Sequence, residues 1–258
     1  MLNRFSLFLF IYCHVFTTMA AYAEPPIVAV ASNLTTPMTE IVDKFRLDTG
    51  ETVRLSFGSS GNLSRQIVQG APYDIFISAS EEYIDFITSQ AVTIKQQLQY
   101  ADGEIGFYIP PDSIYINLET DKQIINALAF GHQVRLTMAN PDHAPYGIAA
   151  LEALQNGGVW SLSTGNLIFS ESVAQIVPYI HTGNIDLAII PKSFVLQNAL
   201  KDSGRFIPIN QSWYQPITQY VALLKDNSPV AISFMDYLKS KNALDILIKY
   251  GYQPAGTQ

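Results

Sequence analysis

Three observations predict an α/β fold whose sheet is mostly parallel and covered by helices on both faces. Short β-rich runs alternate along the chain with stretches of helical periodicity. The first run, IVAVAS (27–32), reads as a buried strand. Runs pass into helices through brief junctions of small or polar residues, the composition of helix starts.

The elements follow in order. After IVAVAS, Leu34, Met38, Ile41, Val42 and Phe45 recur at helical spacing, with Pro37 tolerable only in the first turn, and Asp48-Thr49-Gly50 ends the helix. VRLSF (53–57) alternates as a strand, FGSSGN (57–62) turns, and a helix runs through Leu63 and Ile67 to Gly70. DIFIS (74–78) is a strand, and Ser80-Glu81-Glu82 caps a helix carrying Tyr83, Ile84 and Ile87. The middle repeats the theme. VRLTMA (134–139) leads through NPDHAPYG to a helix with Ile148, Leu151 and Leu154, and LIFS (167–170) leads through Glu171-Ser172-Val173 to a helix ending at His181-Thr182-Gly183. IDLAII (185–190) is a strand stopped by Pro191, ITQYVALL (217–224) is another, and two helices reach Tyr250. GEIGFYI (103–109) and ITQYVALL are the natural segments to cross between two lobes. That division assigns 24–104 and 215–258 to lobe one and 105–214 to lobe two.

The N-terminus has the layout of a cleaved secretory signal: Arg4, an apolar stretch from Leu7 to Phe16, and Ala21-Tyr22-Ala23 as the small-residue end. Cleavage near Ala23 takes 23 of the 258 residues, including Cys13, the single cysteine, so the mature chain is expected to rely on core packing alone. The chain carries 15 Lys and Arg against 22 Asp and Glu, and losing Arg4 makes it more acidic still. An acidic exported product is a poor match for nucleic acid, whose binding needs phosphate neutralisation.

Four junctions place polar or small residues where a helix begins: Ser32-Asn33, Ser59-Ser60-Gly61, Pro145-Tyr146-Gly147 and Glu171-Ser172-Val173. A helix start presents unpaired N–H groups and partial positive charge, and so holds an anion without a cation. Plain N-capping explains any one of them; four in one exported chain suggest an anion clamp. FGSSGN has neither the G-x-S-x-G order of a nucleophile elbow nor the GK[ST] of a P-loop. His132, His143 and His181 form no pair at metal spacing, while Ser59 or Ser60 with His143 leaves an exported serine hydrolase as the alternative.

With AVASNLTTPMTEI (29–41), FGSSGNLSRQIVQGAPYDIFISAS (57–80), NPDHAPYGIAALEAL (140–154) and FMDYLKSKNALDILIKYGY (234–252) in view, the chain resembles the periplasmic molybdate-binding proteins of molybdate ABC transporters, from about Ile27 to Tyr252. The resemblance implies a two-lobed type II periplasmic binding protein with its ligand in the cleft between lobes. It implies an oxyanion held by Ser32, Asn33, Ser60, Tyr146 and the Val173 N–H, with molybdenum present only as molybdate. Tungstate is expected to bind as well, because it is nearly isosteric. No cofactor, a monomeric periplasmic carrier, and the membrane permease subunits as partners complete what it implies. Sulfate and phosphate remain as alternative ligands. One position departs from the pattern: where many members carry a tyrosine at the end of the IDLAII strand, this chain has Pro191. The Tyr146 hydroxyl is expected to supply the missing donor.

Overall fold

The computed structural model describes residues 24–130, 134–197, 200 and 203–255. The expected signal segment 1–23 and His132 lie outside them. The elements run β1 (Ile27–Ala31), α1 (Thr35–Thr49), β2 (Arg54–Gly58), α2 (Ser60–Val68), β3 (Ile75–Ser78), α3 (Glu82–Ser89), β4 (Gln96–Gly103), β5 (Ile105–Ile109), α4 (Asp121–Phe130), β6 (Leu136–Ala139), α5 (Pro145–Asn156), α6 (Trp160–Ser163), β7 (Leu167–Ser170), α7 (Ile176–His181), β8 (Leu187–Pro191), α8 (Lys192–Val195), β9 (Arg205–Pro208), β10 (Ile217–Leu223), α9 (Pro229–Tyr237), α10 (Lys241–Lys249) and β11 (Gln253–Pro254).

These strands form two sheets, each flanked by helices. One has six strands in the order β11-β4-β10-β3-β1-β2, the other five in the order β7-β6-β8-β5-β9. Burial on both faces explains why β1 is apolar throughout and β3 apolar up to Ser78. Val28, Val30, Ile75 and Ile77 pack in one core with Met38, Ile41 and Phe45 of α1 and with α9 and α10. Ala29 and Phe76, from the same strands, join Leu63 and Ile67 of α2 and Ile84 and Ile87 of α3 in a separate core. Opposite faces of one sheet are thus sealed by different helices. The five-stranded sheet has a third core, which also takes in Ala31 and Ala79 from the strand ends of its neighbour.

Local chemistry sets the element ends. Gly50 terminates α1 in the left-handed conformation, at φ 76°. Ser59, Ser228 and Ser240 cap α2, α9 and α10, each accepting an N–H from the first turn. Ser80 supports the start of α3 through a bond from the Glu82 N–H at 3.2 Å.

Two expectations need correction. The sheets are mixed: β1–β2, β1–β3, β6–β7 and β6–β8 are parallel, but β3–β10, β4–β10, β4–β11, β5–β8 and β5–β9 are antiparallel. Parallel pairing belongs to the βαβ units; strands that arrive directly from the other sheet carry no crossover helix and enter antiparallel. ITQYVALL does not cross, because β10 lies wholly within the six-stranded sheet. One crossing is at Glu104, between β4 and β5, and the other precedes Ile217. Strand β4, QQLQYADG, was hidden in the sequence because its first half is polar and mostly exposed.

A surface cluster ties α1 to the C-terminal helices. The Asp48 carboxylate accepts from Lys44, from Tyr237 Oη at 2.7 Å and from Asn242 Nδ2 at 2.8 Å. These bonds, Lys44's foremost, hold its carboxyl down at about 2. A depressed folded-state value contributes stability above the unfolded carboxylate's range and loses it as pH falls toward 2. Asp48→Asn is therefore expected to lower the urea midpoint at pH 7 and to converge with the parent protein near pH 2; a pH-independent difference would contradict this.

Candidate functional site

The four junctions converge. Ser32, Asn33, Ser60, Tyr146 and Val173, together with Ala31, Ser59, Ala144 and Pro145, line one cavity where the strand ends of the two sheets meet. Ser32, Asn33 and the serine pair follow β1 and β2 of the six-stranded sheet, whereas Tyr146 and Val173 follow β6 and β7 of the other. The carboxyl ends of parallel strands are the general place for a ligand in such sheets. The cavity is small, ≈ 10 Å³, about the room of one water-sized sphere.

Donors dominate its wall. Ser60 is the first residue of α2 and Tyr146 the second of α5, and Val173 opens a 3-10 turn leading into α7. Ser32 and Asn33 stand in the 3-10 turn that precedes α1. N–H groups at such starts have no carbonyl one turn earlier to bond. Ser60 Oγ accepts the Ala79 N–H at 3.1 Å, which leaves its own proton to donate. Among the described residues no group bonds the Ser32 hydroxyl. The lining holds no Lys, Arg, Asp or Glu.

The Asn33 side chain points elsewhere. Its Nδ2 donates to Gln219 Oε1 at 2.9 Å, to Tyr252 Oη at 2.9 Å and, at a longer 3.4 Å, to Tyr146 Oη. The Tyr146 hydroxyl lies against Gly103 at the crossing, so close that a Cβ there would come within 2.0 Å of it. Burial raises the Tyr146 hydroxyl well above the usual tyrosine value and pushes Tyr252 to about 12, so both remain neutral and keep their protons. The expectation that Tyr146 replaces a hydroxyl missing at Pro191 therefore meets a different arrangement. The hydroxyl belongs to the Asn33 network, and two residues beyond Pro191 it is Ser193 Oγ that reaches Asn33, donating to its carbonyl at 3.2 Å. Ser193, Gln219 and Tyr252 escaped sequence reasoning. Only a glutamine inside the apolar run ITQYVALL signalled one of them.

At the rim, the Gly61 N–H donates to the His143 carbonyl at 2.9 Å, and Asn62 Nδ2 donates to Glu171 Oε2 at 3.4 Å. His143 Nε2 lies 3.3 Å from the same Glu171 oxygen. The Ser59 and Ser60 hydroxyls engage the amides of Asn62 and Ala79. The histidine is thus oriented toward Glu171, and each serine toward a backbone donor, an arrangement unlike a nucleophile with its base.

Fold and site together define a two-lobed solute-binding protein, and the chain belongs to the bacterial extracellular solute-binding protein family, matched over residues 27–253. It is similar to the molybdate-binding protein ModA of Azotobacter vinelandii, at 32% identity over 237 residues covering 90% of this chain and 91% of that one. It is equally similar to ModA of Rhodobacter capsulatus, at 32% identity covering 91% and 90%. Among solved structures, the Azotobacter vinelandii periplasmic molybdate-binding protein superposes with a TM-score of 0.79 at 26% identity, covering 88% of this chain and 98% of that one. The sulfate-binding protein SubI of Mycobacterium tuberculosis shares the fold, with a TM-score of 0.71 at 14% identity, covering 90% and 87%. The fold alone therefore does not choose the solute.

Proposed function

We propose that this protein is an exported, periplasmic carrier that binds molybdate, and tungstate with it, between lobes 24–104 plus 215–258 and 105–214. It delivers the anion, as a monomer, to the membrane permease subunits of an ABC transporter. The observation that carries this reading is a cavity between the sheets whose wall consists of donors and neutral side chains, without a cation or a carboxylate. Molybdate is fully deprotonated at neutral pH, so all four oxygens accept and none donates. The Ser32 and Ser60 hydroxyls and the N–H groups of Asn33, Ser60, Tyr146 and Val173 match such a guest, whereas a protonated phosphate would prefer a carboxylate acceptor, which the lining lacks.

Each donor to a charged acceptor contributes roughly 1.5–3 kcal/mol. About five to seven of them, discounted for the costs of association, support micromolar to nanomolar binding, about −8 to −12 kcal/mol. The net acidic charge opposes the approach of a dianion, so helix-start dipoles at short range must supply the attraction. Similarity to the two ModA proteins supports molybdate over sulfate, which also only accepts.

A thermal-shift series decides. Molybdate and tungstate are expected to raise the melting temperature, by about 2.7 kcal/mol of stabilisation at a hundred times the dissociation constant. Stabilisation by sulfate or phosphate without molybdate would overturn the assignment. Turnover of an ester substrate lost in Ser60→Ala would instead favour the hydrolase.

A further inference from the structure

The turn after β1 is clasped from both halves of the molecule. Tyr252 Oη donates to the Asn33 carbonyl at 2.9 Å and accepts from Asn33 Nδ2 at 2.9 Å. Ser193 Oγ donates to the same carbonyl at 3.2 Å, and Gln219 Oε1 accepts from the same Nδ2 at 2.9 Å. Gln219 is itself fixed, with Nε2 donating to the Ile217 carbonyl at 2.9 Å. Asn33, Ser193, Gln219 and Tyr252 are 1%, 3%, 0% and 2% exposed. Asn33, Gln219 and Tyr252 belong to the six-stranded half, while Ser193, just after β8, belongs to the five-stranded half.

We propose that Tyr252 is a positioning residue for anion binding: through Asn33, and with Ser193 and Gln219, it forms an interlobe latch that holds the Asn33 peptide in the cavity wall and favours the closed cleft. The affinity part rests on the oxyanion reading above; the latch itself does not. Asparagine suits the centre because its carbonyl and amide give both acceptor and donor to partners on two sides. Buried and satisfied, such a network is stiff, and every bond across the cleft is lost on opening. A carrier whose binding-competent state is more populated binds with less conformational penalty, and releases its ligand more slowly.

Tyr252→Phe removes one hydroxyl and keeps the ring. Its lost bonds, two to Asn33 and a 3.4 Å donation to Ser193 Oγ across the cleft, leave no orphan, because Ser193 still serves the Asn33 carbonyl and Gln219 still serves the amide, so the variant is expected to fold. Small-angle scattering of the ligand-free protein and stopped-flow molybdate release provide the test. Tyr252→Phe is expected to show a larger radius of gyration and roughly 5- to 50-fold weaker molybdate binding, chiefly from faster dissociation. Ser193→Ala, which deletes both the donation to the Asn33 carbonyl and the contact with Tyr252 Oη from the five-stranded half, should show both changes at least as strongly. A space-filling role for Tyr252 would lower the melting temperature and move neither quantity. Unchanged radius of gyration in both variants overturns the latch; an unchanged release rate beside a changed radius overturns the positioning role. A wild-type protein that binds none of molybdate, tungstate, sulfate and phosphate removes the oxyanion reading, while the scattering comparison still decides the latch.

Discussion

Gly61→Ala is expected to weaken oxyanion binding about 10- to 100-fold and to shrink the rise in melting temperature that the ligand produces. Gly61 lies in the first turn of α2, and a Cβ there would meet His143 Cβ at 2.8 Å, the His143 carbonyl oxygen at 2.8 Å and its Cα at 2.9 Å. Two of those atoms are backbone on the opposite side of the cleft, so no side-chain rotation relieves the contact. The Gly61 N–H bond to the His143 carbonyl, at 2.9 Å, is stretched by the same shift. The helix does not suffer, since alanine is the better helix residue. Overpacking of about 1–3 kcal/mol then falls on lobe closure alone. Calorimetry beside differential scanning would show both effects. Affinity equal to the parent's would mean that binding does not require this approach.

Ser60→Ala should behave differently, lowering affinity and stability together. Its hydroxyl accepts the Ala79 N–H at 3.1 Å and stands in the cavity wall. Losing a donor to a charged acceptor costs roughly 1.5–3 kcal/mol, a 10- to 150-fold weaker dissociation constant for molybdate. The Ala79 N–H, buried and left without its partner, costs about 1–3 kcal/mol of folding stability. A variant that loses stability but binds molybdate as tightly as the parent would remove Ser60 from the set of ligand contacts. The two glycine and serine variants, neighbours in FGSSGN, thus separate closure from contact.

The sequence alone determined the βαβ units and which helix starts would meet at one cavity. Helical spacing in α1, the capping serines and Gly50 are local features: each depends on the residue itself and on neighbours within a turn. The four junctions were legible for the same reason, since a helix start is visible as a small or polar residue after an apolar run. All five expected site residues do line one cavity.

Tertiary structure decided the rest. Mixed pairing arises from where the chain passes between sheets, at Glu104 and before Ile217, and no local pattern records which neighbour a strand will find. Strand β4 exists because β10 and β11 flank it, despite its polar sequence. The Tyr146 hydroxyl was expected to donate because Pro191 stands where many relatives carry a tyrosine, and its direction is set by what packs around it. Gly103 leaves the space that its hydroxyl fills, and the Asn33 amide meets it there. The partners of Asn33 lie 113, 160, 186 and 219 residues away in the chain. Contacts over such separations are products of the fold, and only the packed molecule shows that one asparagine joins partners from both sheets.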